Sequence, residues 1–221
     1  MTASSENSKR ADSSTRFTSD RFVTAMIVAV VLSAGESSRM GRPKALLPID
    51  GETFIERIVS ALKRARLGKI IVVTGHNAEE MRRQIDHLPV EILVNHEYKL
   101  GQLSSLHVAI RHLSADQDCD AILVHLVDHP YIDAIVVDRM IESFYASGKL
   151  IIVPRYQGQR GHPVLLSRKL FGELLDAPIE HGAKAVVNAH GADTLEMDAP
   201  DEGVTIDIDT PDEYSQHVKA K

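Results

Sequence analysis

The 221-residue sequence predicts an α/β fold in which a parallel sheet carries helices on its faces and becomes mixed late in the chain. The first observation behind this is the rhythm of residues 26–94, where short β-branched runs alternate with helical stripes as strand, helix, strand, helix, strand. The second is that the first run empties into a small-residue loop, the usual punctuation at a ligand edge. The third is the stretch 155–166, which follows a strand at 150–154 and itself reads as a strand, a glycine-containing turn and another strand. A hairpin there adds an antiparallel member to an otherwise parallel sheet.

The length suits one domain, and 43% hydrophobic residues suffice to fill its core, so residues 23–221 are expected to form a single domain. A formal net charge of −6 argues against a nucleic-acid binder, which needs Lys and Arg to neutralise backbone phosphates. A polyanionic ligand must then be met by local basic residues or a metal. The single cysteine, Cys119, allows no internal disulfide and no C-x-x-C zinc pattern, which suits a reducing cytoplasm. No apolar run reaches membrane-spanning length. Residues 1–22 are rich in Ser, Thr and mixed charges and are expected to be a flexible tail; their acids Glu6, Asp12 and Asp20 do not suit a transit peptide.

In chain order, Met26 to Leu32 reads as a buried strand, followed by a loop with Gly35, two serines, Arg39, Gly41 and Lys44. This loop is where an anion is expected. Glycine lets backbone N–H groups approach a phosphate, Arg39 offers a planar fork of donors, and Lys44 offers a point charge. The spacing fits neither a Walker loop nor G-x-G-x-x-G. Asp50-Gly51 marks a turn, and Thr53-x-x-Glu56 forms a capping box for a helix whose core stripe is Ile55, Ile58, Val59 and Leu62. A strand at 69–74 ends at Gly75. Asn77-x-x-Glu80 repeats the capping pattern, and a third strand covers 90–94.

Asn95 closes that strand, and Gly101 to Leu106 opens a helix running through Leu113. Its Gly/Ser start either presents free N–H groups to a ligand or is plain capping by Ser104 or Ser105. His96 and His107 read as surface residues. A strand at 121–127 ends in Asp128-His129-Pro130, where Asp128 either caps a helix or binds a metal at the sheet edge. His125 reads as a satisfied core histidine. A helix through Val136 and Met140, a strand at 150–154, the hairpin of 155–166, and two short helices in 168–190 with Gly182-Ala183-Lys184 between them follow. Last, Val204 to Ile208 reads as a strand with Asp207 and Asp209 on one face, leading into a Thr210-Pro211 helix start. Two neighbouring carboxylates repel unless a cation or proton lies between them; a metal is one explanation and simple capping is the other.

The gap-free run from Leu32 to Pro48 resembles the L-x-A-G-x-x-x-R-M-G-x-x-K-x-L-L-P signature of the molybdenum cofactor nucleotidyltransferases, the MobA-like NTP transferase family. Asn95 with Gly101 and Ser105, Asp128 two residues before Pro130, Gly161-His162-Pro163 and the D-I-D-T-P ending resemble further family motifs. The sequence departs from the family with Val127 and His129 where Ala and Gln are usual. The resemblance implies a Rossmann-like three-layer α/β sandwich with a mixed, mostly parallel sheet, similar to the glycosyltransferase-A type of nucleotidyltransferase. It implies attack by an acceptor phosphate on the α-phosphorus of a nucleoside triphosphate, with Arg39, Lys44 and Asp128 as catalytic residues. Leu32, Ala34, Gly35, Gly41, Gly75, Asn95, Gly101, Ser105 and His162 would line the nucleotide and acceptor sites. Mg²⁺ or Mn²⁺ would lie between Asp128 and either Asp207 or Asp209, since oxygen-only ligands favour these ions over zinc.

Ser33-Ala34-Gly35 is closer to the A-A-G start of the cytidylyltransferases than to the A-G-G of the guanylyltransferases, so CTP is the expected triphosphate and a molybdopterin-type phosphate the expected acceptor. A molybdoenzyme or its chaperone would then be a protein partner. The rival readings are a guanylyltransferase or other sugar- or alcohol-phosphate nucleotidyltransferase, a glycosyltransferase of similar fold, and a non-catalytic nucleotide-binding module. A glycosyltransferase would want Asp-x-Asp where this chain has Asp128-His129-Pro130.

Overall fold

The computed structural model describes residues 26–218; the tail expected at residues 1–22 lies outside them. β1 (Met26–Ser33) is central because nearly every residue in it is apolar and buried, and only a strand covered on both faces can bury such a run. A small hairpin, β2 (Pro48–Ile49) and β3 (Glu52–Thr53), leads into α1 (Phe54–Arg64). The Thr53–Glu56 capping box is formed in both directions. β4 (Lys69–Thr74), α2 (Ala78–Ile85), β5 (Glu91–Val94), α3 (Gln102–Leu113) and β6 (Cys119–Leu126) complete the first half. α4 (Ala134–Ser147), β7 (Ile151–Tyr156), β8 (Gln159–Arg160), β9 (Val164–Ser167), α5 (Phe171–Asp176), α6 (Gly182–Ala189), β10 (Thr194–Asp198) and α7 (Pro211–His217) follow.

The strand order is β10-β7-β9-β6-β1-β4-β5, with β8 paired to β7. β1 pairs in parallel with β4 on one side and β6 on the other. The antiparallel members are β9, inserted between β6 and β7, and the short β8. This is the mixed, mostly parallel three-layer sandwich expected. Alternate residues of β1 explain the layers. Ile27, Ala29 and Val31 pack with α1, α2 and α4, while Val28, Val30 and Leu32 pack with α3, α5 and α6. The chain leaves β1 toward β4 and later returns to β6, so the carboxyl ends of β1 and β6 flank a topological switch point, where open α/β sheets leave a crevice.

Several local expectations are corrected. Residues 204–208 form no strand: a 3-10 turn at Glu202–Val204 runs into an irregular segment, because Ile206 and Ile208 pack onto a separate apolar cluster instead of a sheet edge. The alternation survives, with Ile208 buried and Asp207 exposed. Asn77 lies in the left-handed region and makes no capping bond. Gly182-Ala183-Lys184 opens α6 rather than linking two helices. β10 carries no strong period-two signal and adds an edge strand that sequence reading missed.

Candidate active site

The loop after β1 is shaped by local geometry. Ser37 and Gly41 both take positive φ, and two single turns of 3-10 helix, Ser38–Met40 and Lys44–Leu46, lie between and after them. Gly41 is needed there because a Cβ disfavours that backbone region. The Lys44 backbone N–H donates to the Ser37 hydroxyl at 3.1 Å, which folds the loop back on itself. The Lys44 side chain is then aimed inward, only 11% exposed.

Its ammonium meets acids from two distant parts of the chain. Nζ lies 3.2 Å from Asp128 Oδ2 and also binds Asp209 Oδ1. Arg39 donates to the other Asp209 oxygen at 2.5 Å. Asp128 is placed by the end of β6, and Ile208 N–H donates to its backbone carbonyl at 2.9 Å, which brings the C-terminal segment alongside. That segment is anchored by Ile208 and Tyr214 against Leu47, Ile49 and Phe54, with the Tyr214 hydroxyl donating to the Pro48 carbonyl. Burial alone would raise the Asp209 carboxyl, but its bonds to Lys44 and Arg39 outweigh this and hold it below the ordinary aspartate range.

Asp128 Oδ1 is buried and has no hydrogen-bond partner, with His129 Nε2 3.8 Å away. An unpaired buried carboxylate oxygen is costly unless something fills its vacant lone pairs. Among the described residues no three His, Cys, Asp or Glu side chains converge on one ion position. Two carboxylates with an unsatisfied oxygen nevertheless fit a hard divalent cation, which takes its remaining ligands from phosphate and water.

A cavity of about 280 Å³ opens above this cluster, bounded by Ala34, Gly35, Arg39, Lys44, Gly101 and Ser105 among others. Leu32, Asp128 and Asp209 also reach it. Of the residues expected at the site, Gly41, Gly75, Asn95, Asp207 and His162 do not line it. Gly75 serves close packing: a Cβ there would come within 2.6 Å of Tyr98 Cβ and 2.8 Å of the Ala34 carbonyl. Asn95 is buried, its amide donating to Ser104 and Ser105 and its carbonyl accepting from Glu97 N–H, so it holds the start of α3 in place. Neither Ser104 nor Ser105 caps α3; Gly101 stands at the cap.

The cavity also has His76 and Tyr98 in its wall, 3.3 Å apart between Nδ1 and hydroxyl. Sequence reading missed both. His76 directly follows the strand-ending Gly75, a position at the sheet's ligand edge that would have marked it. His107, expected at the surface, is buried with its Nε2 2.8 Å from the Leu174 carbonyl, because α3 packs between the sheet and α5. His162 instead borders a second cavity of about 390 Å³, which shares Leu32, Gln102 and Leu126 with the first.

Behind Asp128, His125, His129 and His162 stand together, with ring centroids 6.3 Å and 4.8 Å apart along the row. His125 is a core histidine as expected, its Nε2 2.9 Å from the His129 carbonyl, although its Nδ1 has no partner. Burial, helped by the neighbouring His129, lowers His162 to about 4. Burial, with His129 and His162 nearby, also takes His125 well below the usual value. Both are therefore neutral in the folded protein while the unfolded chain takes up protons near pH 6.5, so acidification favours unfolding. Stability should fall from about pH 6.5 to pH 4, with His162 contributing a loss of about 3 kcal/mol. Denaturant titrations at several pH values should show this slope flattened in His162→Asn; an unchanged slope would contradict the assignment.

The MobA-like NTP transferase domain matches residues 29–194. The molybdenum cofactor cytidylyltransferase of Escherichia coli is 30% identical over 191 residues, covering 85% of this chain and 93% of that protein. The nicotine blue oxidoreductase of Paenarthrobacter nicotinovorans is 31% identical over 155 residues, 65% of this chain and 72% of that one. The crystal structure of Rv0371c from Mycobacterium tuberculosis superposes with a TM-score of 0.75 at 28% identity, over 89% of this chain and 99% of its own; Rv0371c has also been solved in complex with manganese.

Proposed function

The chain belongs to the MobA-like NTP transferase family of nucleotidyltransferases, and we propose that it moves CMP from CTP onto a molybdopterin-type phosphate with release of pyrophosphate. The observation that carries this reading is the Lys44 ammonium held between Asp128 and Asp209 at the foot of a glycine- and serine-lined cavity, at the sheet's switch point. An acceptor phosphate oxygen forms the new bond to the α-phosphorus. The bond from that phosphorus to the bridging oxygen breaks, and its electron pair leaves with pyrophosphate.

Little covalent chemistry falls to the protein in such a transfer. Lys44 and Arg39 neutralise the triphosphate, the backbone N–H groups of residues 35–41 bind its oxygens, and Asp209 holds both cations at the cavity before substrate arrives. Asp128, whose second oxygen is unsatisfied, would hold Mg²⁺ or Mn²⁺ together with an acid of the 207–209 segment. The bound ion would withdraw charge from the phosphates. The absence of a long apolar helix among the described residues and the lone buried Cys119 support a cytoplasmic setting. A molybdoenzyme or its chaperone would receive the product, and residues 23–221 would act as one domain.

The preference for CTP rests on Ala34. Ala34 lines the cavity with its methyl beside Gly75, and a side chain at this position would crowd a purine more than a pyrimidine. A steric term of this kind is worth roughly 10- to 100-fold in kcat/KM. CTP should therefore be used at least tenfold better than GTP, and Ala34→Gly should narrow the gap. Incubation with each triphosphate, Mg²⁺ and a pterin phosphate, with products weighed by mass spectrometry, tests the whole reading. Equal use of GTP in a single turnover would refute the base preference, and release of nucleoside diphosphate instead of pyrophosphate would refute the reaction.

A further inference from the structure

Four charges at the foot of the nucleotide cavity satisfy one another. Both oxygens of Asp209 are engaged, Oδ1 by Lys44 and Oδ2 by Arg39, and the same lysine ammonium holds Asp128 Oδ2. Of these carboxylate oxygens, Asp128 Oδ1 alone has no hydrogen-bond partner among the described residues. Two carboxylates and two cations carry no net charge, so a divalent ion arriving by itself would meet one open oxygen and the repulsion of a largely buried ammonium. The two sides of the cluster differ in stiffness. Asp128 and Asp209 are fixed through their backbone: the Asp128 carbonyl accepts from Ile208 N–H, and Asp209 N–H donates to Glu213, whose carboxylate also closes the capping box of α7. Lys44 ends a flexible four-carbon stem, and the Arg39 side chain is mostly exposed. When the charges rearrange, the cations can swing while the acids stay in place.

We propose that Lys44 and Arg39 form a latch on the acids of the ion site: they compete with the divalent cation for Asp209 and Asp128 until a triphosphate draws them off, and Asp209 rather than Asp207 is the second acid. The proposal rests on the nucleotidyltransferase reading and adds the regulation of its ion site. A triphosphate is the anion that both cations face across the cavity, and each contact they make with it frees a carboxylate oxygen. Asp207 is exposed and does not line the cavity, so the latch leaves it untouched. By linkage, whatever factor the nucleotide adds to the affinity for the ion, the ion adds to the affinity for the nucleotide. Direct chelation of the ion by phosphate adds to this coupling without needing Lys44, and the variants below separate the two contributions.

Electron paramagnetic resonance of Mn²⁺ added to the EDTA-treated full chain measures ion affinity without turnover. In the absence of nucleotide, Lys44→Met, which keeps the stem and removes the charge, should bind Mn²⁺ at least tenfold tighter than wild type, and Arg39→Met several-fold tighter. Adding Asp209→Asn to Lys44→Met should cancel the gain, whereas adding Asp207→Asn should leave it. Thermal melting gives a second readout: Lys44→Met should melt below wild type in EDTA, and Mn²⁺ should raise its melting temperature by more than it raises that of wild type. Should Lys44→Met fail to fold, Arg39→Met at its exposed position carries the test by itself. Mn²⁺ affinity that is unchanged or weaker in the folded variants, or a gain cancelled by Asp207→Asn and not by Asp209→Asn, overturns the latch and leaves the nucleotidyltransferase reading standing. Failure of the wild-type chain to bind a CTP analogue blocked at the α–β bridge, with Mn²⁺ present, would instead remove that reading, and the nucleotide-driven release with it.

Discussion

Asp128→Asn should lower kcat for pyrophosphate release by about a thousandfold or more, a loss of roughly 4 kcal/mol in transition-state stabilisation, while the protein stays folded. The substitution keeps the side chain's volume and removes its charge. In the folded protein Asp128 uses one oxygen to hold Lys44 and leaves the other buried and unpaired. Asparagine still offers an oxygen to Lys44, but it cannot supply the second carboxylate oxygen on which the proposed ion depends. Turnover should therefore suffer far more than nucleotide affinity, which Arg39, Lys44 and the 35–41 backbone continue to support. Initial-rate assays with Mg²⁺ in excess, beside equilibrium binding of CTP, separate the two quantities. A variant that turns over within tenfold of wild type would remove Asp128 from the chemistry and favour a nucleotide-binding module without catalysis.

Gly161→Ala should destabilise the fold by about 3 kcal/mol, although it adds only one carbon and the backbone there is unstrained. A Cβ at this position would lie 2.0 Å from the Val204 carbonyl oxygen and 2.6 Å from its carbon. Both atoms belong to backbone that is itself bonded in place, since His162 N–H donates to that same carbonyl and Gly161 N–H to Pro154, both at 2.8 Å. No side chain can rotate aside, so the 202–209 segment must move, and that segment carries Asp209. Chemical denaturation should show the stability loss, and the variant should lose turnover as well, through misplacement of Asp209 and the cations it holds. A loss below about 1 kcal/mol would mean that the close approach relaxes at little cost.

Residue order by itself determined the layered α/β class, the loop after β1 and its two cations, Asp128 at a strand end, and the late hairpin. These are local facts. A seven-residue apolar run has to be a covered strand, and positive φ with anion-binding side chains is written in Gly, Ser, Arg and Lys at short spacing. Tertiary structure alone decided which distant groups meet. That Lys44 lies between Asp128 and Asp209, 84 and 165 residues away, depends on where β6 ends relative to β1 and on Ile208 docking to a small apolar cluster. No local period records such a meeting. For the same reason Asn95 and Gly75, which resemble ligand-binding motif residues in sequence, lie outside the first cavity and hold neighbouring elements in place, and His107 lies in the core rather than at the surface. A polar or small residue in a motif shows what it is able to bind; the atoms that the fold brings beside it decide what it does bind.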